Sequence, residues 1–99
     1  LPYLGGRLDT AFDNMPPCRE VISEHPSTYC ENLYFDSLAY TQEALELCLH
    51  VSGSDRLLYG SDYPHNVGDM KGNLARVDAL APDVSAKVRG KNAERLFGL

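Results

Sequence analysis

The sequence has no apolar run near the roughly 20 residues that a bilayer-spanning helix requires, and no secretory leader is visible in it. It has three cysteines, an odd number, and no C-x-x-C pair. That argues against a disulfide framework or a zinc knuckle, and for ordinary buried thiols in a reducing compartment, the cytoplasm. Basic residues are scarce: Lys and Arg number 9 against 14 Asp and Glu, for a formal net charge of -5. Nucleic acid is therefore an unsuitable partner, because phosphate binding needs clustered Lys and Arg. There is no nucleophilic triad, no Gly-rich phosphate loop, no internal repeat and no low-complexity segment. None of the three histidines has metal-ligand spacing with Asp62. Nor is there an initial Met: the chain starts at Leu1 and the first Met is Met15. It is therefore expected to be a processed product, a trimmed chain or a fragment.

What is present is 43% hydrophobic in 99 residues, enough for one domain with a modest core. The stretch that organises it is Leu57-Leu58-Tyr59-Gly60-Ser61-Asp62-Tyr63-Pro64-His65. A short apolar run of this kind suits a strand buried on both faces of a parallel sheet. Gly60 permits close approach and Pro64 stops the strand. Asp62 then falls at the carboxyl end, where α/β folds place their chemistry. The alternative is that Asp62 only caps a helix or shapes a turn.

The rest of the chain reads around that strand. Leu8, Ala11, Phe12 and Met15 fall on one face of a helix, which Pro16-Pro17 interrupts. Cys18 to Glu24 suits a second short helical piece. His25-Pro26-Ser27 is expected to be a loop, with His25 solvated. Tyr29 to Phe35 alternates as a strand, with Leu33 and Phe35 on one face and Asn32, Tyr34 and Asp36 on the other. Asp36 would end beside Asp62, either lining a substrate pocket or capping its own loop. Thr41 is a good N-cap and Gly53 a good stop for the helix between them. Its wet stripe is Glu43, Glu46 and His50. Strand, helix, strand from Tyr29 to Pro64 makes a βαβ unit. Asn66 to Gly72 reads as a flexible loop, and Leu74, Val77 and Leu80 as a helix face. Pro82-Asp83 should start another helix over Val84 to Val88. Gly90 should break the chain, and Asn92 should cap a final turn.

These landmarks together resemble the amidohydrolase-related family. It includes metal-dependent decarboxylases of aminocarboxymuconate semialdehyde and of hydroxybenzoates such as γ-resorcylate. The matching runs are P-Y-L-G-G-R at the start, Y-F-D-S, G-S-D-Y-P-H, and N-A-E-R-L-F at the end. The resemblance implies a partial (β/α)8 barrel, α/β in class: the last two parallel strands with flanking helices. It implies that Asp62 is a metal ligand and handles a proton. It also implies that Arg7 holds a substrate carboxylate, with an ion pair to Asp9 or Asp13 as the other possibility. His65 would bind substrate or face solvent. The cofactor implied for the complete enzyme is a divalent metal, zinc or manganese, although one carboxylate cannot hold such an ion alone.

The function expected on this basis is decarboxylation of an aromatic or unsaturated carboxylic acid by a larger enzyme, the isolated chain being inactive. Hydrolysis of an ester, lactone or amide is the sibling chemistry. A non-catalytic, self-associating α/β fragment is the third reading. A two-stranded piece would leave both sheet edges unpaired, which favours homo-oligomers or association with a missing amino-terminal part.

Overall fold

The computed structural model describes residues 1–99, which divide into two compact units, Leu1–Leu33 and Tyr34–Leu99. In the first, a 3-10 turn leads into helix α1, Gly5–Asn14, and a second 3-10 turn over Pro16–Arg19 follows it. The helical piece expected up to Glu24 therefore closes early. Arg19 reaches back instead, donating to the carbonyls of Phe12 at 2.6 Å and Asp13 at 2.8 Å. Those carbonyls lie in the last turn of α1, where a cation is favoured.

Helix α2 is Pro26–Cys30. This corrects two expectations. Pro26 and Ser27 are helical, not loop, because a proline is pre-organised for the first helical position and its missing N–H is not needed there. Tyr29 and Cys30 continue that helix, so the strand expected from Tyr29 shrinks to β1, Phe35–Asp36. Burying Cys30 at the end of α2 wins over a period-two alternation too short to distinguish strand from helix.

Asp9 ties α2 to α1, its Oδ1 accepting the Ser27 N–H at 2.9 Å. Asp13 does the same through His25 Nε2, at 2.8 Å, while the His25 ring meets Phe12 edge-on at 5.3 Å. The hydrogen bond to Asp13, aided by the charges of Asp13, Asp9 and Glu24, raises the His25 pKa above its ordinary 6.5. A raised folded-state pKa stabilises while the ring is protonated. The contribution is full below about 6.5 and disappears as pH rises through the higher folded value. An NMR titration of the His25 ring should show this, and Asp13→Asn should move its midpoint down. An unmoved midpoint would rule the clasp out.

The second unit is built on β1 and β2, Leu57–Leu58, paired in parallel with Phe35 opposite Leu57 and Asp36 opposite Leu58. Helix α3, Gln42–Ser52, makes the crossover that parallel pairing requires. Thr41 caps it through its side chain, accepting from the Ala44 N–H at 3.2 Å, and Gly53 ends it. Leu45, Leu57, Val77, Leu80 and Val88 form the core, with Phe35, Leu49, Tyr59 and Val84 packed against it. Glu43, Glu46 and His50 are exposed, as their stripe on α3 required.

Helix α4 is Met70–Asp78, and α5 is Pro82–Ala86. Gly90 does not break the chain. A π-turn over Lys87–Lys91 carries the helix from α5 into α6, Asn92–Phe97. Asn92 is not a cap either. Its side chain is fully buried and donates to the carbonyls of Ser54 at 2.8 Å and Leu57 at 2.9 Å. The Leu57 carbonyl lies on the edge of β2 away from β1, as does the Tyr59 N–H, which donates to the Val88 carbonyl at 2.9 Å. A π-turn shifts the helical ladder, and such turns recur at special sites. This one presents a backbone acceptor and a side-chain donor to a strand edge. Two groups of that edge are thus bonded from within the chain, so this edge is not wholly bare as expected.

Candidate active site

The carboxyl ends of β1 and β2 lie side by side and enclose a hollow of about 300 Å³ lined by Asp36, Leu38, Tyr40, Gly60 and Asp62. Parallel pairing in register makes this so: Asp36 is the last residue of β1, and Gly60 to Asp62 leave β2 directly opposite. Gly60 fits closely there, since a Cβ on it would stand 3.0 Å from the Asp36 Cβ. A larger hollow, about 600 Å³, is bordered by Asp78, Pro82, Arg89 and Glu94 among the later helices. Its Asp78 and Arg89 are paired with each other at 2.8 Å.

Asp62 is exposed and sits at φ 55, a conformation that non-glycine residues seldom adopt. Its carbonyl accepts the His65 N–H at 2.9 Å, and the Gly68 N–H reaches the His65 carbonyl at 2.9 Å. Gly68 packs so tightly here that a Cβ would meet the Asp62 carbonyl oxygen at 2.7 Å. The Asp69 N–H closes the loop on the Ser61 carbonyl at 3.0 Å. The segment after β2 is therefore tied down, and α4 begins at Met70, inside the stretch expected to be a flexible loop. Asp69 caps α4 by accepting the Gly72 N–H at 2.9 Å, and it meets the Arg76 guanidinium at 2.6 Å. Both contacts hold its carboxyl below the usual carboxylate range, that of Arg76 more strongly.

Beneath the hollow lies a buried polar knot. Asn73 of α4 is fully buried and donates to Ser37 Oγ at 2.9 Å and also to the Gly60 carbonyl. Ser37 Oγ in turn accepts the Gly60 N–H at 3.4 Å. Both strand ends are thereby fixed to one helix.

Of the residues singled out in the sequence, the structure brings Asp36 and Asp62 together. Asp36 also caps its own loop, its Oδ1 accepting the Leu38 N–H at 2.8 Å. His65 is exposed and lies outside the lining of the hollow. Arg7 is exposed on α1, in the first unit. Asp9 and Asp13 are engaged with Ser27 and His25.

Sequence reasoning missed Tyr40, Asn73, Asp69 and Arg76. Asp69 had a readable signal, an Asp directly before the periodic residues of α4. Asn73 had one too, a polar residue four before Val77 on the same apolar face.

A metal of the kind the family resemblance implies does not fit the donors of this chain alone. No group of three His, Cys, Asp or Glu side chains is placed to hold an ion, and catalytic sites use about three protein ligands.

Comparison with known proteins agrees with this architecture. The chain is 28% identical over 101 residues to the 2-amino-3-carboxymuconate-6-semialdehyde decarboxylase of Dictyostelium discoideum, covering 99% of this chain and 28% of that protein. It superposes on 2,6-dihydroxybenzoate decarboxylase from Rhizobium with a TM-score of 0.78 at 26% identity, covering 99% of this chain and 31% of the other. The IDCase of Metarhizium anisopliae, at 23% identity, shares the fold with a TM-score of 0.80, over 99% of this chain and 31% of its own. These solved relatives are TIM barrels, and the two parallel strands here are consistent with part of one. The chain thus spans less than a third of the proteins it matches. Since residues 5–99 match the amidohydrolase family model, the chain belongs to the amidohydrolase family.

Proposed function

We propose that this chain is the closing portion of a barrel enzyme, its last two strands with their helices, that decarboxylates an aromatic or unsaturated carboxylic acid. The observation that carries the reading is the meeting of Asp36 and Asp62 in one hollow at the carboxyl ends of two parallel strands. Barrel enzymes build their sites at that end. The likeness to decarboxylases supplies the reaction class.

The chemistry asked of this chain is proton transfer. The substrate is protonated at the carbon that bears the carboxylate; the C–C bond then breaks, carbon dioxide leaves, and the electron pair of that bond restores the unsaturated system. Asp62, exposed at the rim, shuttles that proton from water to the carbon and ends in the state in which it began. Asp36 holds the neighbouring wall and accepts hydrogen bonds. Arg7 is assigned to a substrate carboxylate, for which a guanidinium offers a planar fork. His65 is assigned to the mouth of the site. Asp62 would give one oxygen to a divalent metal, zinc or manganese, and residues outside this chain would supply the rest of its cage. The free Cys18, Cys30 and Cys48 suit a reducing compartment such as the cytoplasm.

Product analysis tests the reading. The longer polypeptide carrying this segment is incubated with 2,6-dihydroxybenzoate, 5-carboxyvanillate and 2-amino-3-carboxymuconate-6-semialdehyde, and with esters, lactones and amides. Release of carbon dioxide with the matching decarboxylated product is the expected result. Hydrolysis alone would replace the decarboxylase reading with its sibling. Turnover of none of them would overturn both in favour of a non-catalytic, self-associating module.

A further inference from the structure

We infer that Tyr40 is the wall against which the flat face of a planar, unsaturated ligand lies, a specificity-determining residue of the hollow. The inference rests on the reading of that hollow as a substrate site. The chain holds non-glycine residues at positive φ at Tyr40, φ 60, and at Asp62, φ 55. Both line the same hollow. Conformations of this kind persist only where surrounding contacts over-determine them, and they cluster at functional sites. A bulky aromatic residue is a poorer occupant of that region than Asp, so Tyr40 is the more informative of the pair.

The surroundings show what holds it. Tyr40 follows the turn after β1, just before the Thr41 cap of α3. Its hydroxyl donates to the Val67 carbonyl at 3.0 Å, across to the segment that follows β2. The side chain is therefore fixed at both ends, by its backbone and by its hydroxyl, yet it stays 51% exposed. A tyrosine that served only to fill the core would be buried. Leu38 adds an apolar surface, Gly60 leaves room, and Asp36 and Asp62 add two acceptors. An aromatic face, an apolar neighbour and rim acceptors suit a planar ligand carrying hydrogen-bond donors.

The test uses 2,6-dihydroxybenzoate as the probe and two variants of the longer polypeptide that carries this segment. Tyr40→Phe keeps the ring and removes only the hydroxyl. Tyr40→Asn removes the ring while supplying a residue that tolerates positive φ. Added probe is expected to move the Tyr40 ring-proton resonances upfield to saturation. Affinity should fall about 3- to 10-fold in Tyr40→Asn, the scale of an aromatic contact, and stay within about 2-fold in Tyr40→Phe, with both melting temperatures near that of the parent. Stationary Tyr40 resonances, or unchanged affinity in Tyr40→Asn, would overturn the inference. So would a melting temperature several degrees lower in Tyr40→Asn, the mark of a merely structural residue. Binding that depends on Tyr40 without any decarboxylation upholds the wall and overturns the decarboxylase reading alone.

Discussion

Asp62→Asn, placed in the longer polypeptide, is expected to lower kcat for decarboxylation by about 10²- to 10⁴-fold, the usual worth of a positioned acid or base. The replacement is chosen so that little else changes. Asn accepts the positive φ of this position as readily as Asp does, so the turn after β2 keeps its shape. The side chain is exposed, and exposed substitutions seldom move stability by more than about 0.5 kcal/mol. An amide cannot give up a proton at neutral pH, and it is a poorer metal ligand than a carboxylate. Initial rates measured beside thermal melts check the prediction. A normal rate in a normally folded variant would remove Asp62 from the mechanism. An equal loss in Asp36→Asn would show instead that any charge at this rim serves the reaction.

The second large effect concerns stability. Asn92→Ala should cost about 2–3 kcal/mol, seen as a lower urea midpoint with an unchanged slope. One buried side chain donates to two carbonyls, those of Ser54 and Leu57. Removing it orphans the Leu57 acceptor on the β2 edge and leaves a void beside Val88 and Leu57, both of which are buried. Against a typical stability of about 5–15 kcal/mol, that is a large fraction. Asn92→Asp should be no remedy: a carboxylate cannot donate to the two carbonyls, and burying its charge adds a penalty. A midpoint within experimental error of the parent would mean that the edge of β2 finds other donors.

These two residues also separate what was legible from what was not. The turn bearing Asp62 could be read because its signals are local: an apolar run, a glycine, a carboxylate and a proline in succession. Thr41 and Gly53 framed α3 for the same reason, since a cap bonds to a residue three positions away. The π-turn was misread because Gly90 is a breaker by propensity, and tertiary packing overrides propensity. At Pro26 two local rules competed, one for a loop at His25 and one for a helix starting at proline. The second won where Cys30 could be buried.

The sequence by itself determined the βαβ order of the second unit, the place of Asp62 beyond a buried strand, and the family resemblance that the comparisons bear out. Those are matters of periodicity and of neighbours along the chain. Only the tertiary structure decided that Asp36, Tyr40 and Asp62 share one hollow, and that Asn73 and Asn92 hold the strands in place. The bonds of Asn73 to Ser37 and of Asn92 to Leu57 join residues 36 and 35 positions apart. An asparagine that will find a buried carbonyl at that distance looks, along the chain, like one that will cap a helix or face water, because its donors are the same in each case.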